Sequence, residues 1–512
     1  MPDTHESQDM PDLRNILDLT EDYREEEDSL GKVRVPNSAL YGAQTRRAVK
    51  NFPISGMTAH PAFIRATVLI KRAAAMANRD TGRLGASKAD AIIQASDEIL
   101  GDDWRDHFSD PLPGDWQRHF VVDAYQAGAG TSHNMNANEV LANRAIEILG
   151  GQRGNYKEVN PNDDVNMAQS TNDTVPTAMR IATLFLIFET LPAMDHLAQA
   201  FEAKGREFDH ILKSGRTHLQ DATPIRLGQE FAAYGLTIRR DIERLEQAQK
   251  TLYELNIGGT AVGTGLNAEE GYINGVVRHL AESTGYPLRR AESLVQIAPS
   301  MASFVEVSGA TRVLALDLTK ISNDLRLLAS GPATGFYEII LPAVQPGSSI
   351  MPGKINPSIV EMVNQVCFQA LGYDTTISYA AQAGQLELNV MMPVIIHNVL
   401  WSLHILKNAM MVLADRCVSG IEANPERCED LAVKSASLVT AVAPYIGYKP
   451  AAKLAEEQVA SGRDIREILA ESNLLPAEDL AVILEPKAMT EPGIAGQGKT
   501  KTPILGGGSA GG

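Results

Sequence analysis

The sequence predicts an all-α fold with a central bundle of long helices. Apolar residues recur three and four apart over long segments, while apolar–polar alternation is scarce. Helices apolar around more than one face, such as the one near Leu400, need more partners than one chain supplies. Assembly through a helical bundle is therefore expected. In chain order, residues 1–27 are polar and acidic and read as a disordered leader. Lys32–Val35 reads as a short strand, and His60–Asn78 and Ala86–Leu100 read as helices. Pro176, at a favourable first-turn position, opens a pattern through Leu184, Leu186, Ile187, Leu191 and Leu197 toward Leu212, with a kink expected at Pro192. Gln229–Leu255 carries Phe231, Leu236, Ile238, Ile242 and Leu245 on one face and Arg239, Arg240, Asp241, Glu243 and Arg244 on the other. Met301–Leu328, Ser358–Leu371 and Pro393–Ala414 are further long helices. The glycine-rich end, Gly506–Gly512, reads as a flexible linker.

The 512 residues suffice for two or three domains, and 44% hydrophobic with 21% charged residues describes a soluble globular protein. A net charge of −17 argues against nucleic acid or an anionic membrane as partner. An anionic substrate must then be drawn in by a local basic pocket. Cys367, Cys417 and Cys428 lack metal-ligand spacing and fit structural thiols in a reducing cytosol. The acidic N-terminus has no basic-then-apolar signal pattern, so a cytoplasmic location is expected. The longest uncharged run, Leu388–Leu406, is interrupted by Asn389, Pro393, His397, Asn398, Ser402 and His404 and reads as a buried helix rather than a membrane span.

The segment Gly347-Ser348-Ser349-Ile350-Met351-Pro352-Gly353-Lys354-Ile355-Asn356-Pro357 places two hydroxyls, an ammonium and an amide between glycines and prolines. Glycine permits positive φ and proline stops a flanking helix from continuing. Such a loop can close over a small anion and offer it Ser Oγ and backbone N–H groups. Gly-Ser-Ser-x-Met-Pro-x-Lys-x-Asn resembles the signature loop of the aspartase/fumarase superfamily, whose members eliminate ammonia, water or another amine to release fumarate. The likeness runs from about Tyr23 to about Ala495. It implies a homotetramer with merged central helices and active sites each built from three subunits. It also implies an N-terminal domain over 28–169, a central helical domain over 170–420, a small helical domain over 421–495 and a flexible tail over 496–512.

Three more blocks follow the superfamily's order. Gly128-Ala129-Gly130-Thr131-Ser132-His133-Asn134 and Gln169-Ser170-Thr171-Asn172-Asp173 each sit where a helix begins, and alone would be helix caps. Free N–H groups and the helix dipole there favour an anion. The resemblance assigns Thr131, Ser170 and Thr171 to substrate carboxylates and Asn172 to the leaving amine or hydroxyl. In Gly215-Arg216-Thr217-His218 it assigns Thr217 to the other carboxylate and His218 to the leaving group, with Glu361 as the histidine's partner. A carboxylate on one ring nitrogen fixes the tautomer and supports positive charge. In the loop the resemblance makes Ser348 the catalytic base and Lys354 and Asn356 carboxylate anchors. Ser349, Met351 and neighbouring N–H groups hold the reacting carboxylate.

Removing a proton next to an ionised carboxylate creates an aci-carboxylate carrying two negative charges. Preorganised donors must stabilise it. Serine becomes a competent base only as an alkoxide held among N–H donors near Lys354 in a closed site. No cofactor or metal is required. Ala129-Gly130-Thr131-Ser132, Asn160 before Pro161, Asn364–Phe368 and Ala383–Val390 resemble bacterial aspartases more than fumarases, which implies elimination of ammonia from L-aspartate. Ala333, Asp164, Tyr373 and Met392 depart from the aspartase pattern. Fumarate hydratase, a lyase acting on a substituted aspartate, and a structural protein on a lyase scaffold stay open as rivals.

Overall fold

The computed structural model describes residues 22–105 and 107–505, and the chain is mostly helical. The expected leader up to position 21 and the Gly506–Gly512 segment lie outside the described residues. Regular structure starts within the rest of that leader, because β1 (Tyr23–Asp28) pairs antiparallel with β2 (Gly31–Pro36). Arg24 fastens this hairpin by donating to Glu26 and to the carbonyls of Pro36, Ala39 and Tyr41.

Four helices follow: α1 (Ala43–Asn51), α2 (Pro61–Asp80), α3 (Ala86–Leu100) and α4 (Thr131–Ile148). The first of the long helices, α5 (Thr171–Glu207), leads into β3 (Leu212–Thr217) and β4 (Gln220–Arg226). Then come α6 (Leu227–Gln249), α7 (Glu270–Thr284), α8 (Ala302–Leu328), α9 (Ser358–Gln382) and α10 (Met392–Arg416). Shorter helices complete the chain: α11 (Pro425–Val433), α12 (Val439–Ile446), α13 (Tyr448–Ser461), α14 (Ile465–Glu471) and α15 (Ala477–Ile483). At 37 residues, α5 is roughly 55 Å long at about 1.5 Å per residue.

Two differences from the periodicity have clear causes. Helix α5 starts at Thr171, ahead of Pro176, because Ser170 and Asp173 form a capping box: Asn172 N donates to Ser170 Oγ at 3.2 Å and Ser170 N to Asp173 Oδ1 at 2.9 Å. The β3–β4 hairpin has no apolar alternation to reveal it, since the fully buried positions of β3 are Lys213 and Ser214. The run Leu388–Leu406 does lead into a helix from Met392, with Ile395, Val399, Leu403 and Leu406 buried. Asn389 is reconciled with burial by donating to Ala380 O and Ala381 O.

The chain divides into two compact units, and the division falls inside α5, α6, α8, α9 and α10. Unit 1 comprises the chain up to Thr190 with Arg244–Arg312 and Gln369–Ile405. In it α2 packs against α3 and α7, with Ile64, Val68, Leu69 and Ile70 buried. Unit 2 comprises Leu191–Glu243, Val313–Phe368 and the chain from Leu406. Its C-terminal helices enclose Leu438, Val442, Tyr445, Ile465, Leu469 and Ile483. Residues 496–505, expected in the flexible tail, are fastened to this cluster. Asp479 accepts from Lys501 N and Thr502 N, Leu505 N donates to Pro444 O, and Ile504 packs on the apolar side chains.

Candidate active site

The candidate residues form two sets, one per unit. In unit 1, Ala129 and Gly130 take φ of 61° and 84° and turn the chain into α4, which starts without a side-chain cap. Thr131 is its first residue and is exposed, with Oγ1 3.4 Å from Gly128 O. The start of α5 lies beside it, because Asn134 Nδ2 in the first turn of α4 donates to Thr171 Oγ1 at 3.4 Å. Ser170 Oγ accepts from its own helix, which leaves its O–H free to donate. Asn172 donates to Ala261 O at 2.8 Å, so its side-chain amide nitrogen is held by the chain. Two helix N-termini with three hydroxyls between them make a site suited to a carboxylate.

Beneath these termini lies a buried polar network that the sequence did not reveal. Lys71 Nζ donates to Asn134 Oδ1 (2.7 Å), Asn166 Oδ1 (2.9 Å) and Gln169 Oε1 (2.9 Å). Burial pushes its ammonium down to about 7, against the pull of Asp173. Asp173 itself is pushed up to about 6 by burial, although Ser170, Gly258 and Thr260 N–H groups stabilise its charge. His133 is stacked on Phe63 at 4.3 Å, hydrogen-bonded to Thr67, and held neutral with a pKa of about 3 by burial and the Lys71 charge. The departure Asp164 is structural here, accepting from Asn160 N and Lys88 Nζ at 2.7 Å each. Met392 fills a fully buried position at the start of α10, where a carboxylate would need a partner.

In unit 2, Thr217 and His218 stand at the tip of the β3–β4 hairpin. Thr217 pairs with Gln220, so His218 and Leu219 form a two-residue turn, with φ of 55° and 57°. Such turns demand positive φ at both positions, which non-glycine residues adopt at a cost. The hairpin base compensates. Arg216 makes two 2.9 Å bonds to Glu338, which is fully buried, and lies 4.1 Å above the Phe336 ring. Lys213 Nζ lies 3.0 Å from Glu230 and 3.5 Å from Glu338. Thr217 also lines a cleft of about 870 Å³ with Asp221, Thr223, Lys434 and Ser437.

The signature loop has a pinned base and an exposed crest. Gly347 N donates to Lys354 O at 2.8 Å and Asn356 Nδ2 to Gly347 O at 2.6 Å. A Cβ at Gly347 would lie 2.5 Å from Lys354 O, and Gly353 holds φ of 81°, so both glycines are required. Within this frame Ser348 Oγ accepts from Ile350 N (3.2 Å) and Met351 N (3.0 Å). Those two donors stabilise negative charge on that oxygen. Ser349, Met351 and Lys354 are exposed, and Asn356 spends one amide hydrogen on the loop itself. Glu361 stands in the first turn of α9, but among the described residues no hydrogen bond or ion pair joins it to His218. Among the described residues no group of three or more His, Cys, Asp or Glu could hold a metal ion.

A family model described as Lyase matches residues 31–372, and one described as Fumarase C C-terminus matches residues 438–491. Aspartate ammonia-lyase from Bacillus subtilis (strain 168) is 48% identical over 482 residues, covering 94% of this chain and 99% of that protein. Aspartate ammonia-lyase from Escherichia coli (strain K12) is 44% identical, with 93% and 97% covered. A fumarate lyase:delta crystallin from Brucella melitensis, solved bound to cobalt, superposes with a TM-score of 0.87 at 48% identity, covering 92% of this chain and all (100%) of that one. A class II fumarase from Schistosoma mansoni superposes with a TM-score of 0.83 at 36% identity, with 92% and 100% covered.

Proposed function

This chain belongs to the lyase family of those aspartate ammonia-lyases, and we propose on that basis that it interconverts L-aspartate with fumarate and ammonia. The observation that carries the reading is the 48% identity to an aspartate ammonia-lyase over 94% of the chain, against 36% to the class II fumarase.

In the proposed mechanism Ser348, as an alkoxide, removes the proton next to the carboxylate. The support is its oxygen's position as acceptor of two backbone N–H bonds. Lys354 and the loop N–H groups meet the substrate as the loop closes, and closure excludes water. Thr131, Ser170 and Thr171 donate to a carboxylate at the helix N-termini. Each well-placed donor to the developing charge contributes on the order of 3 kcal/mol to the transition state. His218 and Glu361 act on the departing amine, with the partner for the exposed His218 tip supplied on assembly.

The proposed assembly is a homotetramer with each active site formed from three subunits. Unit 2 exposes Leu236 (56%), Leu316 (51%) and Phe368 (58%) on three of its long helices, faces that a second copy would cover. Light scattering should give four times the chain mass, and a monomer would remove this part of the reading.

The function is tested by following the ultraviolet absorbance of fumarate's conjugated double bond with L-aspartate and L-malate offered separately. A rise with L-aspartate alone is expected. A rise with L-malate alone would make the chain a fumarate hydratase. Silence with both would redirect attention to substituted aspartates.

A further inference from the structure

Lys71 carries an inference beyond this reading, resting on it for the identity of the ligand. Its side chain is fully buried on α2, on the apolar row of Ile64, Val68 and Ala75. No carboxylate lies within ion-pair distance among the described residues. All three of its hydrogen bonds go to neutral side-chain amides, those of Asn134, Asn166 and Gln169. An ammonium removed from water without a counter-ion is costly. The titratable groups facing it are Asp173 on α5, whose charge is already shared with three backbone N–H groups, and the neutral His133 on α4.

The ammonium also sets a direction. By drawing Asn134 Oδ1 inward it turns Asn134 Nδ2 outward, onto Thr171 Oγ1 and Asn166 Oδ1. Thr171 is thereby an acceptor on its inner side, and its own O–H is free to donate outward. Asn166 Oδ1 accepts from Lys71, Asn134 and Asn138 together, and so ties the start of α4 to the segment that enters α5.

We propose that Lys71 is a positioning residue for the unit 1 carboxylate site: it fixes the donor orientation of the two helix N-termini and places beneath them a cationic group that favours a bound carboxylate. The charge half of the proposal distinguishes it from a packing role.

Two variants of the full-length, assembled protein test it, with succinate as an unreactive dicarboxylate probe. Lys71→Met keeps an unbranched side chain, one atom shorter, but removes charge and donors. Asn166→Asp keeps the three bonds accepted at Oδ1, loses the 3.2 Å bond to Gln169 O, and places a counter-charge against Lys71. In both, KM for L-aspartate and the inhibition constant of succinate should rise about tenfold, the scale of a lost charged hydrogen bond. For Asn166→Asp the thermal midpoint should stay at or above that of the wild type. Asn166→Asp binding succinate as tightly as the wild type would overturn the proposal, even if Lys71→Met failed to fold. A wild-type protein that neither turns over L-aspartate nor binds succinate would instead overturn the underlying function, and the inference with it.

Discussion

Breaking the Arg216–Glu338 pair should disable the hairpin that carries Thr217 and His218. Both hydrogen bonds are 2.9 Å, the Glu338 side chain is 0% exposed and that of Arg216 13%. Truncating one partner of a buried pair typically costs 3–5 kcal/mol. Lys213 still reaches Glu338 at 3.5 Å, so Arg216→Met should fall at the low end, about 3 kcal/mol. Glu338→Gln leaves two cations, but Lys213 keeps Glu230, so about 2–3 kcal/mol is expected. Independent sites would sum to about 5–6 kcal/mol, whereas one shared pair should make the double variant about as unstable as the worse single, a coupling of about 2–3 kcal/mol. Denaturant unfolding of all four proteins measures this. Because His218 and Leu219 hold positive φ only on a fixed base, kcat for fumarate formation should also fall on the order of a hundredfold in Arg216→Met. Additive destabilisation, or Arg216→Met with normal kcat, would refute the coupling of this pair to the tip.

Two further perturbations probe the signature loop and the buried histidine. Lys354→Ala should raise KM for L-aspartate by about tenfold or more while leaving thermal stability unchanged, because the side chain is exposed and makes no ion pair among the described residues; near-normal KM in steady-state kinetics would contradict anchoring. His133 is held neutral when folded, with a pKa of about 3 against 6.5 for the free side chain. The unfolded chain therefore binds a proton that the folded one does not, and stability from this site is lost as pH falls from about 6.5 toward 3. His133→Gln should flatten that dependence, so its melting midpoint should gain on the wild type's as pH drops; parallel profiles would count against it.

What could be read from the sequence followed from periodicity and local chemistry. The helices α2, α3, α8 and α10 repeat apolar residues at helical spacing, and their positions were legible. The signature loop was legible because Gly347 and Gly353 have no substitute in that geometry. The β3–β4 hairpin was not, since its buried residues are polar and its turn is His218-Leu219 rather than a glycine-bearing pair. Lys71 was hidden for the opposite reason. It sits in an apolar helical row where a lysine reads as solvent-facing, and only long-range contacts to Asn134, Asn166 and Gln169 expose its burial. The one available signal was its register with Ile64, Val68 and Ala75. The proposed pairing of His218 with Glu361 came from the family resemblance alone, and no hydrogen bond or ion pair joins the two side chains among the described residues.

Ser348 is the proposed base, and Ser348→Ala in the assembled protein is the decisive variant. Fumarate formation from L-aspartate should be lost nearly completely, while light scattering and thermal midpoint match the wild type and succinate still binds. Substantial residual turnover by Ser348→Ala would contradict it and assign proton removal to another group.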